Sequence, residues 1–175
     1  MKHLEDYIVS IPDFPRPGIL FRDVTGVLDS GEGLHLAIEQ LASRLDGLDF
    51  DAIAGVESRG FLFGAPLAYK LGKGFIPVRK PGKLPRAVVR QSYDLEYGSA
   101  TVEMHADAVE PGQRIVVMDD LLATGGTAKA AATLVERLGG EVVKMLFLVE
   151  LFDLGARESR LGDYNVDAVL KFPGH

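Results

Sequence analysis

The sequence predicts an α/β protein, a central, mainly parallel β-sheet with helices on both faces. Three observations point there. Strand-like and helix-like stretches alternate, the strand-like ones are near-continuous hydrophobic runs of the kind a sheet covered on both faces requires, and glycines and prolines separate the two. With 175 residues, 47% hydrophobic and 25% charged, the chain has material for one ordinary core and not comfortably for two. No repeat, low-complexity tract or Ser/Gly linker marks a boundary, so residues 1–175 are expected to form a single domain.

The elements follow in order. A short amphipathic start leads into PDFPRPG (12–18), whose prolines forbid a helix, and then into a strand-like ILFRDVT (19–25). Leu34, Ala37, Ile38, Leu41, Ala42 and Leu45 recur at helical spacing and predict a helix ending near Gly47. DAIAGV (51–56) reads as a short buried strand, residues 60–71 as an apolar helix, and GFIPV (74–78) as a strand. Between 81 and 105 the alternation breaks. PGKLPRAVVRQSYDLEYG is expected to be a loop from about Pro81 to Tyr93, leading into a hairpin (YDLEYG into ATVEMH) that projects from the core. A loop of that length in a small domain is more often functional than idle. RIVVM (114–118) is the next strand. Ala128, Ala131, Ala132, Val135 and Leu138 then mark a helix stopped by Gly139 and Gly140, and EVVKMLFLVEL (141–151) is a further buried strand. The last stretch, GARESRLGDYNVDAVLKFPGH, carries no motif and is expected to finish the sheet.

Composition narrows the function. The chain has no cysteine, which rules out disulfides and thiolate metal sites and is compatible with a reducing compartment, so a cytoplasmic location is expected. Glu5 and Asp6 interrupt the N-terminus where a signal peptide needs an apolar run, and no stretch reaches membrane-spanning length. A net charge of -6 argues against broad nucleic-acid or membrane-surface binding. An anionic ligand would have to be held by a local cluster of donors.

One stretch has that character. In VVMDDLLATGGTAKA (116–130) a buried strand runs into two adjacent acids, a Thr/Gly turn and a helix. Ligands of open parallel sheets sit beyond the carboxyl ends of strands, where this turn lies. Gly125 and Gly126 allow backbone N–H groups to converge on a phosphate, Thr124 and Thr127 add hydroxyls, and the helix start adds partial positive charge. Carboxylates repel phosphate, so Asp119 and Asp120 call for a neutral hydrogen-bond donor next to it. Ribose hydroxyls beside a 5'-phosphate meet that description. There is no G-x-x-x-x-G-K-[ST], and GKGFIP (72–77) lacks a third glycine and precedes a strand, which disposes of the P-loop and dinucleotide readings.

The stretch resembles the phosphoribosyl diphosphate (PRPP) motif of the type I phosphoribosyltransferases. DFPRPGILFRD (13–23), ESRGFLFG (57–64), RKPGKLP (79–85), SYDLEYG (92–98) and DDLLATGGT (119–127) also resemble, in order and approximate spacing, the members of that family that act on adenine. The resemblance implies the type I phosphoribosyltransferase fold, with a small N-terminal hood over 1–25 and a flexible lid loop and hairpin over 81–105. It implies purine salvage by pentosyl transfer: adenine and PRPP give AMP and diphosphate. Asp119 and Asp120 are then expected to bind the ribose hydroxyls, with Ala123, Thr124, Gly125, Gly126 and Thr127 wrapping the 5'-phosphate. Glu57, Ser58 and Arg59 fall in the diphosphate loop, with a cis peptide expected between Glu57 and Ser58. Arg79 and Lys83 would add charge there, and Lys80 and Arg86 are weaker candidates, since such residues are usually solvated.

For the base, the resemblance implies that Phe21 stacks on adenine, the Leu20 carbonyl accepts from its exocyclic amine and the Arg22 N–H donates to N1. That pair opposes a 6-oxopurine, which reverses both polarities. Ser92, Tyr93 and Tyr97 are lid residues, and Glu96, on a strand leaving the lid, is the candidate catalytic carboxylate at the far edge of the purine. Mg²⁺ is expected as cofactor, held mainly through substrate oxygens and not by a protein ligand set. His3, His35, His105 and His175 are too scattered for a metal triad. A homodimer is implied by the resemblance alone, since no single apolar stripe in the sequence demonstrates it. Two rivals remain at this point: a transferase for xanthine or another 6-oxopurine, and a PRPP-sensing regulator without catalysis. The second is disfavoured by the intact SYDLEYG and the acidic charge.

Overall fold

Near-continuous apolar runs can only be covered from both sides, and the chain does this around five parallel strands. The computed structural model describes residues 1–175. In chain order the elements are β1 (Val9–Pro12), β2 (Leu20–Asp23), α1 (Thr25–Leu28), α2 (Gly31–Ser43), β3 (Ala52–Val56), α3 (Arg59–Leu71), β4 (Gly74–Val78), β5 (Val88–Asp94), β6 (Ser99–His105), β7 (Arg114–Leu122), α4 (Gly126–Arg137), β8 (Glu141–Leu151), α5 (Ala156–Ser159) and β9 (Val166–Phe172). The sheet has the order β4-β3-β7-β8-β9, all parallel, so the C-terminal stretch does finish it.

Alternation along the strands divides the core in two. Ala52, Ala54 and Val56 of β3, Ile115 and Val117 of β7, and Met145 and Phe147 of β8 pack under α4 and β6. Ile53, Val116, Met118, Leu146 and Leu148 face the other way, against α2 and α3. Burying each large side chain, Phe63 and Leu67 of α3 among them, contributes roughly 1.5–3 kcal/mol. Ser30 caps α2 by accepting from the Gly33 N–H at 3.2 Å, a contact of the kind worth about 1 kcal/mol. Phe75 of β4 lies in a notch that needs two glycines: a Cβ at Gly55 would come within 2.5 Å of its ring and one at Gly64 within 2.7 Å.

Three expectations change. The strand expected over 19–25 stops at Asp23, whose carboxylate accepts from the Thr25 N–H (2.9 Å) and hydroxyl (2.8 Å) and so turns the chain into α1. It pairs with β1 in a separate antiparallel hairpin, outside the main sheet. The loop expected from Pro81 to Tyr93 is shorter, because VVRQSYD alternates in strand fashion and pairs along its whole length with β6, Val88 opposite His105 and Asp94 opposite Ser99. Only the segment between β4 and β5 is loop. Its base is fixed by Glu103, 2% exposed, which accepts from the Gly82 N–H at 2.8 Å and meets Arg90 at 2.8 Å. Finally, the strand expected to end at Met118 runs on through Leu122, so both acids lie within β7.

Candidate active site

Because Asp119 and Asp120 are neighbours in a strand, their side chains leave on opposite sides of the sheet. Asp119 borders a cavity of about 410 Å³ that it shares with Glu57, Lys80, Tyr93 and Thr127. Its Oδ1 accepts from the Asp120 N–H at 2.8 Å, and α3 begins so close that a Cβ at Gly60 would stand 2.9 Å from the same oxygen. Burial, and then the neighbouring Asp120 carboxylate, push the Asp119 carboxyl well above the usual carboxylate range. Asp120 is 4% exposed, and its Oδ2 lies 2.9 Å from Nε of Arg59. The alignment is not that of a hydrogen bond, so this buried oxygen is still an open acceptor.

After β7 the chain makes the turn the sequence indicated. Leu121 to Thr127 enclose a small hollow of about 100 Å³, with Ala123, Thr124, Gly125 and Gly126 on its rim. Gly125 takes φ 87°, where only glycine is comfortable, and α4 starts at the next residue with its first N–H groups unpaired toward the turn. The Thr127 hydroxyl donates to the Tyr93 hydroxyl at 3.0 Å, so a residue of β5 sits directly on the turn. Arg160, which sequence reasoning missed, also arrives here, its guanidinium touching the place where a Cβ of Gly126 would be.

Across the cavity, at the ends of β3 and β4, the residues expected to hold diphosphate gather around one acid. Glu57 accepts from the Lys80 N–H at 2.6 Å and the Lys83 ammonium at 3.2 Å, and lies 3.4 Å from Arg79 Nε. Burial pushes its carboxyl up, but these donors more than offset that and hold it below its ordinary value. Arg79 Nε itself has no hydrogen-bond partner. The Glu57–Ser58 peptide is cis, as expected, and Ser58 precedes α3, which opens with Arg59. Arg86 does not join this cluster. It turns instead to Asp107 (3.2 Å) and His105 Nδ1 (3.2 Å).

The expected base segment connects to this centre through Arg59, whose guanidinium carbon lies 5.9 Å from the centroid of Phe21. Phe14 packs edge-on against Phe21 at 5.1 Å. Leu20 and Arg22 are alternate residues of β2, so the C=O of one and the N–H of the other point to the same edge. In the hairpin Leu20 stands opposite Pro12 and Arg22 opposite Ser10. The Arg22 side chain is fixed by the C-terminus, stacking on Phe172 at 4.7 Å and reaching the Pro173 carbonyl at 3.4 Å.

Glu96, expected on a strand leaving the lid, lies instead with Tyr97 in the turn between β5 and β6, because the pairing closes at Asp94 and Ser99. The Glu96 side chain is 77% exposed and lies 4.0 Å from Arg16 of the PDFPRPG segment, so the tip of the hairpin faces the hood. Ser92 pairs across the hairpin with Thr101 at 2.8 Å. No three His, Asp or Glu side chains converge in a way that would hold a metal ion.

A strand-end pair of acids, a glycine-rich turn at a helix start and a facing cluster of cations thus lie together at one end of the sheet. Residues 26–171 match the model of the phosphoribosyl transferase domain. The chain belongs to the phosphoribosyltransferase family. Within it, the chain is 62% identical to the adenine phosphoribosyltransferase of Agathobacter rectalis, over 99% of each chain. Among solved structures it is similar to adenine phosphoribosyltransferase from Thermoanaerobacter pseudethanolicus, with TM-score 0.94, 53% identity and coverage of 97% of this chain and 100% of that one. The Saccharomyces cerevisiae enzyme, solved in complex with an imino-altritol bisphosphate and adenine, gives TM-score 0.89 and 38% identity over 95% of this chain and 96% of that one.

Proposed function

We propose that the protein is a purine-salvage transferase that moves the 5-phosphoribosyl group of PRPP to adenine, giving AMP and diphosphate. The observation that carries this reading is one cavity of about 410 Å³ bounded by Glu57 and Lys80 on one side and Asp119 and Thr127 on the other, since PRPP carries charge at both ends of a neutral diol. In this reading Asp119 takes the ribose hydroxyls from inside the cavity. Asp120, on the other side of the sheet and outside the cavity, does not reach the ribose as the sequence led us to expect; it holds Arg59 in place. Residues 123–127 cradle the 5'-phosphate, while Arg59, Arg79, Lys80 and Lys83 face the diphosphate. Glu57 positions Arg79 and Lys83 until that ligand takes their charge.

Adenine would stack on Phe21 with its Watson–Crick edge on the Leu20 carbonyl and the Arg22 N–H. The bond from N9 to the anomeric carbon forms as the bond from that carbon to the diphosphate oxygen breaks, and the ring N–H proton of adenine is released at the edge of the base that faces Glu96. Glu96 and Tyr97, on the hairpin tip opposite Arg16, close over the base's far edge, where a carboxylate stabilises positive charge developing on the purine. Mg²⁺, when bound, would be held mainly through substrate oxygens and not by a protein ligand set, and would offset charge on the departing diphosphate.

The same reading treats residues 1–175 as one domain with a hood over 1–25 and a lid loop and hairpin over 81–105 that close over the bound substrates. It also gives a cytoplasmic homodimer. No helix is long and apolar enough to cross a membrane. The outward face of α3 carries Leu62, 47% exposed, and Tyr69, 89% exposed, one above the other at i and i+7, a surface that a second copy would cover. The test of the activity is incubation with adenine, PRPP and Mg²⁺. AMP and diphosphate are expected in equal amounts, and adenine left unchanged would contradict the reading.

A further inference from the structure

The C-terminal segment carries a cation that nothing in the reaction described so far uses. Ala156 and Leu161, 4% and 1% exposed, fasten α5 and the turn after it to the phosphate turn: a Cβ at Gly125 would stand 3.3 Å from the Cβ of Ala156 and 3.3 Å from Cγ of Leu161. Arg160 lies between these anchors, so its backbone is fixed while its side chain is exposed. The guanidinium reaches back over Gly126, beside the ring of Tyr93. It lines a cavity of about 380 Å³ whose floor is Thr124, Gly126 and Thr127.

Its charge has no partner. Arg157, one turn earlier, holds Glu150 through two bonds of 2.8 and 2.7 Å. Arg160 makes no such pair, although Asp94 and Glu96 line the same cavity. It is placed at the start of α4, the positive end of a 12-residue helix, where a second positive charge is unfavourable unless an anion lies between them. A phosphate monoester has three terminal oxygens. Backbone amides of the turn and the Thr124 and Thr127 hydroxyls approach it from below, which leaves an oxygen facing outward, and a guanidinium fork suits that oxygen.

We propose that Arg160 is a further substrate-binding residue, clamping the 5'-phosphate of PRPP and AMP from the outer side of the cradle. This rests on the reading of residues 123–127 as the phosphate site. The clamp comes from a different part of the chain than the cradle, tied to it through Ala156 and Leu161.

Calorimetric titration of AMP and of adenosine into the wild type, R160A and R160K tests it. Wild type should bind AMP more tightly than adenosine, the difference measuring the phosphate. R160A should lose about 10-fold or more in AMP affinity, the usual weight of a hydrogen bond to a charged group, with adenosine affinity unchanged and R160K intermediate. AMP affinity in R160A equal to wild type, or an equal loss for adenosine, would overturn the proposal. A wild type that does not distinguish AMP from adenosine would overturn the cradle reading and the clamp together.

Discussion

Nε of Arg59 lies 2.9 Å from Oδ2 of Asp120, while the same guanidinium stands 5.9 Å from the ring centroid of Phe21. One side chain therefore joins the acidic strand end to the segment expected to hold the base. Asp120 is 4% exposed and cannot be left charged without a cation at low cost.

The Arg59→Met variant keeps much of the side chain's bulk and removes its charge. It is predicted to lower stability by about 1–3 kcal/mol, because a buried carboxylate is left without its counter-charge, and to slow transfer. R59M/D120N, in which the buried carboxylate is gone as well, should regain most of the stability and none of the activity. Denaturant unfolding alongside the transfer assay checks both. Full recovery of activity in the double variant would mean that Arg59 serves only to neutralise Asp120.

Asp119 gives a pH dependence of definite sign. Burial and the Asp120 charge raise its folded pKa, so between the unfolded and the folded pKa the native state binds a proton that the unfolded chain has released. Its favourable contribution is full below the unfolded pKa and is lost as pH rises through the folded one. Asp119→Asn, which cannot ionise, should therefore be more stable than wild type near neutral pH, with the gap closing in acid, and should bind PRPP less well. Thermal unfolding from pH 4 to 8 reads the first effect and calorimetry the second. A variant less stable than wild type at neutral pH would show that the carboxylate is stabilised in the folded protein.

For Glu96, the Gln variant keeps the shape and removes the charge. We expect kcat to fall roughly 10²–10⁴-fold, the range for a positioned acid-base group, with adenine affinity changed much less. Single-turnover kinetics separate chemistry from product release. An unchanged chemical step would return Glu96 to the role its exposure suggests by itself, a solvated carboxylate beside Arg16.

Much of this architecture was legible because the buried strands are so apolar: DAIAGV, GFIPV, RIVVM and EVVKMLFLVEL all became strands of the one parallel sheet. The site was legible where local chemistry is distinctive, in the acid pair and the glycine turn. The errors have physical causes. Polar residues in β5 hid a strand, because a projecting hairpin buries little and shows itself only by weak alternation. The opposite directions of Asp119 and Asp120 follow from β7 running to Leu122, but the turn residues drew the boundary too early. Arg160 gave no signal, since its neighbours Gly126 and Tyr93 are far from it in sequence and only the packing of Ala156 and Leu161 on Gly125 brings them together.

The central claim is that this site transfers phosphoribose to adenine and selects it through the Leu20 carbonyl and the Arg22 N–H. The most direct measurement is kcat/KM with adenine, hypoxanthine, guanine and xanthine at saturating PRPP. Each reversed polarity leaves a backbone group unpaired, and sites that read substrate hydrogen bonds in this way discriminate by roughly 10⁴-fold. The account predicts adenine ahead of every 6-oxopurine by about that margin. Comparable values for adenine and any one of the others would contradict it.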